Sequence, residues 1–507
     1  KFITNFFNSY FFFLYNLIMD LQEMRMLPRE ADYRSVLPAA MHSEAKRRTF
    51  FPVNGNTFSA TGNNIIRIDL SGDAFLDTKH SYLRFNFNNL TGSDMGFDYA
   101  GGHVFIRRLR IEQAGNVLSD VNHYNRMVGA IILPSQATRD SIQHRSLTEQ
   151  QRWSNDIDTG LSMIADGTTA AASVTGATLT TPANSGRLIV NNAGPVPPTA
   201  GSQAEFCIPL INGLLGVNQD KMIPLQLLGS SPITIEIELA PALDIGVYRA
   251  APAAGFTYEL NDVRYVASLV ESPPEVDDQI RMVQQMSGGR LVLSGTDYTH
   301  FNGNVGAGAT GQISINVPAR RRSINSIFFV GASQDYAGAG IGQRTRFNNS
   351  FGGNFNLTDY QVKIGSITAP PTPIQCNYGV VGWTGETRAE HLTELSKCWG
   401  TLSTTHGCGS LSASNFATTD CDIAGMATDG APGAASVSYT FCPFGIDLRS
   451  FARVATSSGF NTADRSTAIT LLLNIGAANA EAVNVDAYVS YDSLYYIDES
   501  GAIRVSL

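Results

Sequence analysis

Charge is scarce in this chain: Asp, Glu, Lys and Arg make up only 16% of its 507 residues. Long amphipathic helices are correspondingly scarce. Positive charge is scarcer still, with 35 Lys and Arg against 44 Asp and Glu and a net charge of -9. That balance argues against a surface whose main work is neutralising phosphates, because nucleic-acid affinity rests on clustered Lys and Arg. Cysteine is sparse as well. Cys207, Cys376, Cys398, Cys408, Cys421 and Cys442 never form a CxxC pair, so a zinc ribbon has no support and free thiols in a reducing compartment are expected. Neither a GxSxG elbow nor an HExxH motif occurs, which leaves nucleophilic and metallohydrolase chemistry without a starting point. The one strongly apolar run, residues 1–18, is interrupted by Asn5, Asn8 and Asn16, and no small-residue cleavage site follows it. It is read as translated upstream sequence or a disordered end ahead of Met19.

What is abundant is glycine, 47 residues, together with Asn, Ser, Thr and Ala. This is the composition of many strands joined by small-residue loops. Length alone suggests about three domains, but all-β domains run to ~200–250 residues, so two large ones fit equally well.

The most informative stretch is Phe75 to Met127. Leu83, Phe85 and Phe87 alternate with Tyr82, Arg84 and Asn86, and Leu109 and Ile111 alternate with Arg108, Arg110 and Glu112. That period of two marks strands with one buried face. Ala114, Gly115 and Asn116 supply a turn, and Tyr124 and Asn125 open a helix. Elsewhere Ile66, Ile68 and Leu70 share a face, as do Ile233, Ile235, Ile237 and Leu239. In the second half GQISINV, SINSIFFVG, TAITLLLNIG and NVDAYVSYDSLYYID read as strands. Ser146 with Glu149, and Thr387 with Glu390, make capping-box patterns that start the helices SLTEQQRW and AEHLTELSKCW.

The phrase Phe75, Leu76, Asp77, Lys79, Ser81, Tyr82, Leu83, followed by Leu109, Ile111, Gly115, Val117 and then Tyr124, Asn125, resembles the early part of the first barrel in double jelly-roll major capsid proteins of eukaryotic DNA viruses, the polinton-like virus, adintovirus and virophage group. The strand YELNDV at 258–263 and the end YDSLYYIDESGAIRV at 491–505 are similar to that family's barrel closures. The resemblance implies an all-β fold of two consecutive eight-stranded jelly-roll barrels with short helices and long surface loops. The expected division is an N-terminal arm at 19–48, a first jelly roll at 49–272, a linker at 273–284 stiffened by Pro273 and Pro274, and a second jelly roll at 285–507. Polar excursions are expected at 160–205, 331–373 and about 400–435.

The resemblance also implies a non-enzymatic capsid protein without cofactors, forming homotrimeric, pseudo-hexagonal capsomers that tile an icosahedral virion assembled in cytoplasm or nucleus. Its partners would be itself, neighbouring capsomers, penton and minor capsid proteins, and an inner membrane or genome reached through the arm. Candidate interior-facing or partner contacts are Lys46, Arg47, Arg48, Arg320, Arg321 and Arg322, with Arg107, Arg108 and Arg110 a third basic group. Solvated strand ends paired with acids are the plainer reading of all three groups. Gly306, Gly308 and Gly311 spell GxGxxG but lead into a strand, so they read as a loop, not a phosphate cradle. His406, Cys408, Cys398 and Cys421 match no common zinc spacing. Sequons at Asn89, Asn348 and Asn356 matter only in a secretory compartment. The competing function is a secreted carbohydrate-binding β-sandwich, and behind it a jelly-roll glycan hydrolase, for which no paired carboxylates stand out.

Overall fold

The computed structural model describes residues 43–90, 95–97, 100–136, 148, 203–216, 219, 221–229, 231–248, 257–333, 355–376, 388–400, 442–450, 459–463, 467–479 and 482–506. The chain divides into two units, Lys1–Ser43 and Glu44–Leu507, and all the elements below lie in the second.

Eight strands build the first barrel: β1 (Glu44–Phe50), β2 (Ile65–Leu70), β3 (Phe75–Asn89), β4 (Ile106–Gln113), β5 (Asn116–Asn122), β6 (Gln203–Ile208), β7 (Ile233–Leu239) and β8 (Tyr258–Glu271). They form two antiparallel sheets, ordered β1-β8-β3-β6 and β2-β7-β4-β5. A second set of eight repeats the plan: β9 (Arg290–Val305), β10 (Gly311–Val317), β11 (Ile324–Ser333), β12 (Leu357–Ile364), β13 (Ile367–Gln375), β14 (Phe444–Asp447), β15 (Ile469–Ile475) and β16 (Val483–Asp498). Their sheets are ordered β9-β16-β11-β14 and β10-β15-β12-β13, the first barrel's order shifted by eight. This is the jelly-roll topology twice over, as the resemblance implied. Strand β17 (Ile503–Ser506) pairs with the end of β16. Short helices complete the frame: α1 (Tyr124–Met127), which runs on through Val128–Ile132 and Leu133–Gln136, α2 (Pro274–Met286) and α3 (Arg388–Lys397).

The alternation read in the sequence is the alternation in the barrels. Leu83, Phe85, Phe87, Leu109, Ile111, Ile235 and Ile237 are buried, while their neighbours Arg84, Arg110 and Glu236 point outward. Ala114 and Gly115 both adopt positive φ, 51° and 81°, and close the β4–β5 hairpin as a two-residue turn. The Asp77-to-Ser81 phrase interrupts the regular pairing of one long strand. It is a bulge inside β3, where pairing with β8 jumps from Asp77↔Ser268 to Tyr82↔Val266. Asp77 accepts the Lys79 N–H at 3.1 Å, and the Ser81 hydroxyl accepts the Ser268 N–H at 3.0 Å, so the two polar letters tie off the bulge.

Three boundaries differ from the sequence reading. The stretch expected as an arm, 19–48, takes in Glu44–Arg48 of β1, a barrel strand whose first half is exposed on both faces; without a buried face it shows no alternation to read. The expected linker is helix α2, begun by Pro274 at its first position with Glu275 and Asp277 in its first turn. The 331–373 excursion holds the end of β11, all of β12 and most of β13, whose prolines Pro370, Pro371 and Pro373 are tolerated because β13 is a sheet edge. Most of the 160–205 excursion, the 400–435 excursion and all of the SLTEQQRW helix but Thr148 lie outside the described residues.

Candidate functional site

In a two-barrel chain the joint between the barrels is where side chains of both halves meet. Strand β11 shows this first: Ile327 and Phe329 point into the second barrel's own core, while Phe328 and Val330 belong to the core that is continuous with the first barrel. Tyr488, Tyr495, Ile497, Leu293 and Ile503 join that same continuous core. A sheet buried on both faces fixes its neighbour as firmly as its own barrel does.

Polar clusters set the register of this joint. Arg126, on α1, places Nε 2.6 Å from the Asp486 carboxylate of β16, with the two side chains 4% and 7% exposed. His300 Nε2 donates to the other Asp486 oxygen at 2.8 Å, and Asn302 donates to it at 3.2 Å. The His123 ring lies 4.8 Å from that of His300, and the His123 carbonyl accepts the Tyr488 hydroxyl at 3.0 Å. Burial works to raise the Asp486 pKa, but the His300 hydrogen bond and the Arg126 charge outweigh it and hold the carboxyl well below its usual range.

A second cluster surrounds Asp297 on β9. It accepts the Tyr298 N–H at 2.9 Å, the Asn212 amide at 3.3 Å and the Tyr491 and Tyr495 hydroxyls at 3.4 and 3.5 Å. Burial pushes the Asp297 pKa up. Asn212 also donates to Ser119 of β5 at 2.6 Å, so this cluster too spans both barrels. Third, the Gln113 side chain donates to the Gly501 carbonyl at 3.0 Å and accepts the Ile503 N–H at 2.6 Å, tying the β4–β5 hairpin to β17. Beside these bonds, Gly213 and Gly295 bring two backbones together so closely that a Cβ on Gly295 would stand 1.9 Å from the Gly213 carbonyl oxygen.

The barrels stand parallel through these contacts. One end gathers Glu44, Glu271, the Gly115 turn, α2 and the β10–β11 connection; the other gathers the strand ends from which residues 137–202 and 377–441 leave and re-enter. The first basic group, Lys46 to Arg48, lies exposed on β1 at the former end. Lys46 pairs with Glu271 at 2.6 Å, Arg47 donates to the Tyr82 hydroxyl at 3.0 Å, and Arg48 lies over the Phe50 ring at 5.0 Å. Arg320, Arg321 and Arg322 fall in the β10–β11 connection at the same end. Arg321 stacks on Tyr491 at 4.4 Å and Arg322 donates to Ser506 at 3.3 Å, while Arg320 is exposed. The structure therefore brings the two groups to one end without bringing them into one cluster. The third group is a ladder of ion pairs: Arg107 with Glu238 at 3.5 Å, Arg108 with Asp120 at 2.5 Å, Arg110 with Glu112 at 3.0 Å.

Gly306 to Gly311 form the β9–β10 turn, with Gly308 and Gly311 at positive φ, as the loop reading expected. Cys398 is buried at the end of α3, and its partners in the imagined metal cluster, His406, Cys408 and Cys421, lie outside the described residues, as does Asn348. Among the described residues no group of three or more His, Cys, Asp or Glu is placed to hold a metal ion. Cys207, Cys376, Cys398 and Cys442 are free thiols, and burial pushes the Cys376 and Cys398 thiols up, away from reactivity. Asn89 is buried, and Asn356 donates to Asn479 at 3.1 Å.

No protein-family model matches the chain, and no curated protein matches it by sequence. Solved structures do match it. The Faustovirus major capsid protein superposes with a TM-score of 0.55 at 8% identity, over 94% of this chain and 93% of that one. The PBCV-1 virus capsid gives 0.53 at 11% identity, over 94% and 99%. A chain of the Sputnik virophage gives 0.50 at 8% identity, over 95% and 92%. The chain is thus an all-β protein of two jelly rolls in tandem. Its fold is that of the double jelly-roll major capsid proteins.

Proposed function

We propose that this chain is a major capsid protein whose homotrimers form pseudo-hexagonal capsomers of an icosahedral virion. The observation that carries the reading is the repeated strand order in two parallel barrels fused through a common core. Two similar barrels per chain, taken three times around a closed axis, give a sixfold outline that tiles a flat facet. Its role is structural and not enzymatic, and its place is the virion shell.

With strands upright in the shell, the end bearing the long connections 137–202 and 377–441 faces outward, and the end bearing Glu44 and α2 faces inward. The inward end then presents Lys46, Arg47, Arg48, Arg320 and Arg322, with Arg321 steadied by Tyr491, to minor capsid or penton proteins, an inner membrane or genome. Electron microscopy and sedimentation of the purified chain test the reading. Trimers of hexagonal outline, or shells built from them, are expected; a monomer at assembly concentrations sinks it.

A further inference from the structure

We propose that the cluster of His123, Arg126, His300 and Asp486 is an acid-sensitive latch between the two barrels, one that loosens when His123 takes up a proton. The charges facing His123 come from every element packed on it: Arg107 of β4, Arg126 of α1, His300 of β9, and Asp486 with Tyr488 of β16. Asp486 is the single anion among them. It already serves the Arg126 guanidinium and the His300 Nε2–H at 2.6 and 2.8 Å, so an imidazolium at His123 would have to compete for it with two donors already in place.

Position makes the cluster a latch and not merely a buried pair. His123 occupies the junction between β5 and α1, with φ of 47°, and its carbonyl is held by Met127 N–H at 3.1 Å and by the Tyr488 hydroxyl of the other barrel at 3.0 Å. A charge that drives the ring from His300 and Arg126 therefore pulls on the backbone acceptor that joins the barrels. Burial, followed by the nearness of His300, lowers the His123 pKa. A base so lowered leaves the fold at full stability above its unfolded value of about 6.5, and stability falls as pH drops from there through the folded value.

The test is amide hydrogen exchange on the full chain, corrected for intrinsic rates, from about pH 7.5 to about pH 5, the range in which imidazoles titrate. Peptides covering Val121–Met127 and Asp486–Tyr488 are expected to lose protection severalfold in acid while β15 keeps its own. His123→Asn, whose side chain tolerates positive φ and does not titrate, should hold joint protection flat. In the unaltered chain the His123 imidazole, followed by NMR, should titrate with the same midpoint as the loss of protection. Unchanged protection at the joint, separate midpoints, or the same acid loss in His123→Asn would each overturn the proposal. The measurement needs only the isolated chain, so its outcome is independent of the capsid reading.

Discussion

Replacing Arg126 by Met tests whether the two barrels are one cooperative structure. The substitution keeps the apolar stem and removes the guanidinium, leaving the 7%-exposed Asp486 carboxylate with His300 and Asn302 as its remaining donors. Breaking a buried pair from one side costs ~3–5 kcal/mol, because the surviving charge is stranded in a poorly solvated site. Asp486→Leu takes away the acceptor of the 4%-exposed Arg126 Nε–H and costs a similar amount. In the double variant no ionic pair remains to be broken; the chief loss is the acceptor of the His300 Nε2–H, ~1–3 kcal/mol. The double variant should therefore be more stable than either single one, whereas independent effects would sum to ~6–10 kcal/mol. Urea unfolding followed by circular dichroism measures all four corners of this cycle. Additive losses would show that the pair is not coupled across the joint, and two resolved transitions in the parent chain would refute the common core.

Gly295→Ala places a methyl 1.9 Å from a backbone oxygen, which no rotamer change relieves, so the barrels must separate locally; thermal unfolding should show a loss of at least ~1–3 kcal/mol, and a neutral result would mean that the backbones do not meet. Asp297→Asn should gain on the parent chain as pH rises. The buried parent carboxyl has a raised pKa, so its contribution is fully present below the unfolded value of ~3.9 and is lost as pH climbs through the folded value; equal pH profiles for the two proteins would contradict this. Ala114→Asn puts a residue that accepts positive φ at a position with φ of 51°, and should stabilise the β4–β5 hairpin by up to ~1 kcal/mol in the same unfolding assay.

The strands with one wet face were legible because their letters record the two environments: Ile233, Ile235 and Ile237 face the core while Thr234, Glu236 and Glu238 face water. Where both faces share one environment the record disappears. Glu44 to Arg48 lie exposed on both faces of β1 and read as an arm, although Arg48 pairs with Ala267 in a regular antiparallel register. Pro274 carried two messages, stiff crossing and helix start, and only the acidic first turn of α2 distinguishes them. The joint itself was nearly silent. Arg126, His123 and Asp297 are ordinary surface letters in their own segments, and their burial comes from residues more than 80 positions away. One signal was present: Asp486 interrupts the apolar run NVDAYV, and a carboxylate inside a strand buried on both faces requires a partner.

This difference between legible barrels and a silent joint follows from where specificity resides. A jelly roll closes by burying alternate residues, and many apolar sequences meet that demand, so pattern suffices to announce it. Seating one barrel on another requires a fixed rotation and height, which interchangeable apolar contacts define poorly. Directional bonds define them better. Arg126 to Asp486 sets one end of the seating, Gln113 to Ile503 sets the other, and Asn212 to Asp297 lies between them. Three polar ties at different heights along β16 and its neighbours prevent the second barrel from sliding or rotating on the first without stranding a buried polar group. On the proposed capsid reading, the outline of a capsomer would depend on that seating, because the angle between barrels within one chain would set where the next chain docks.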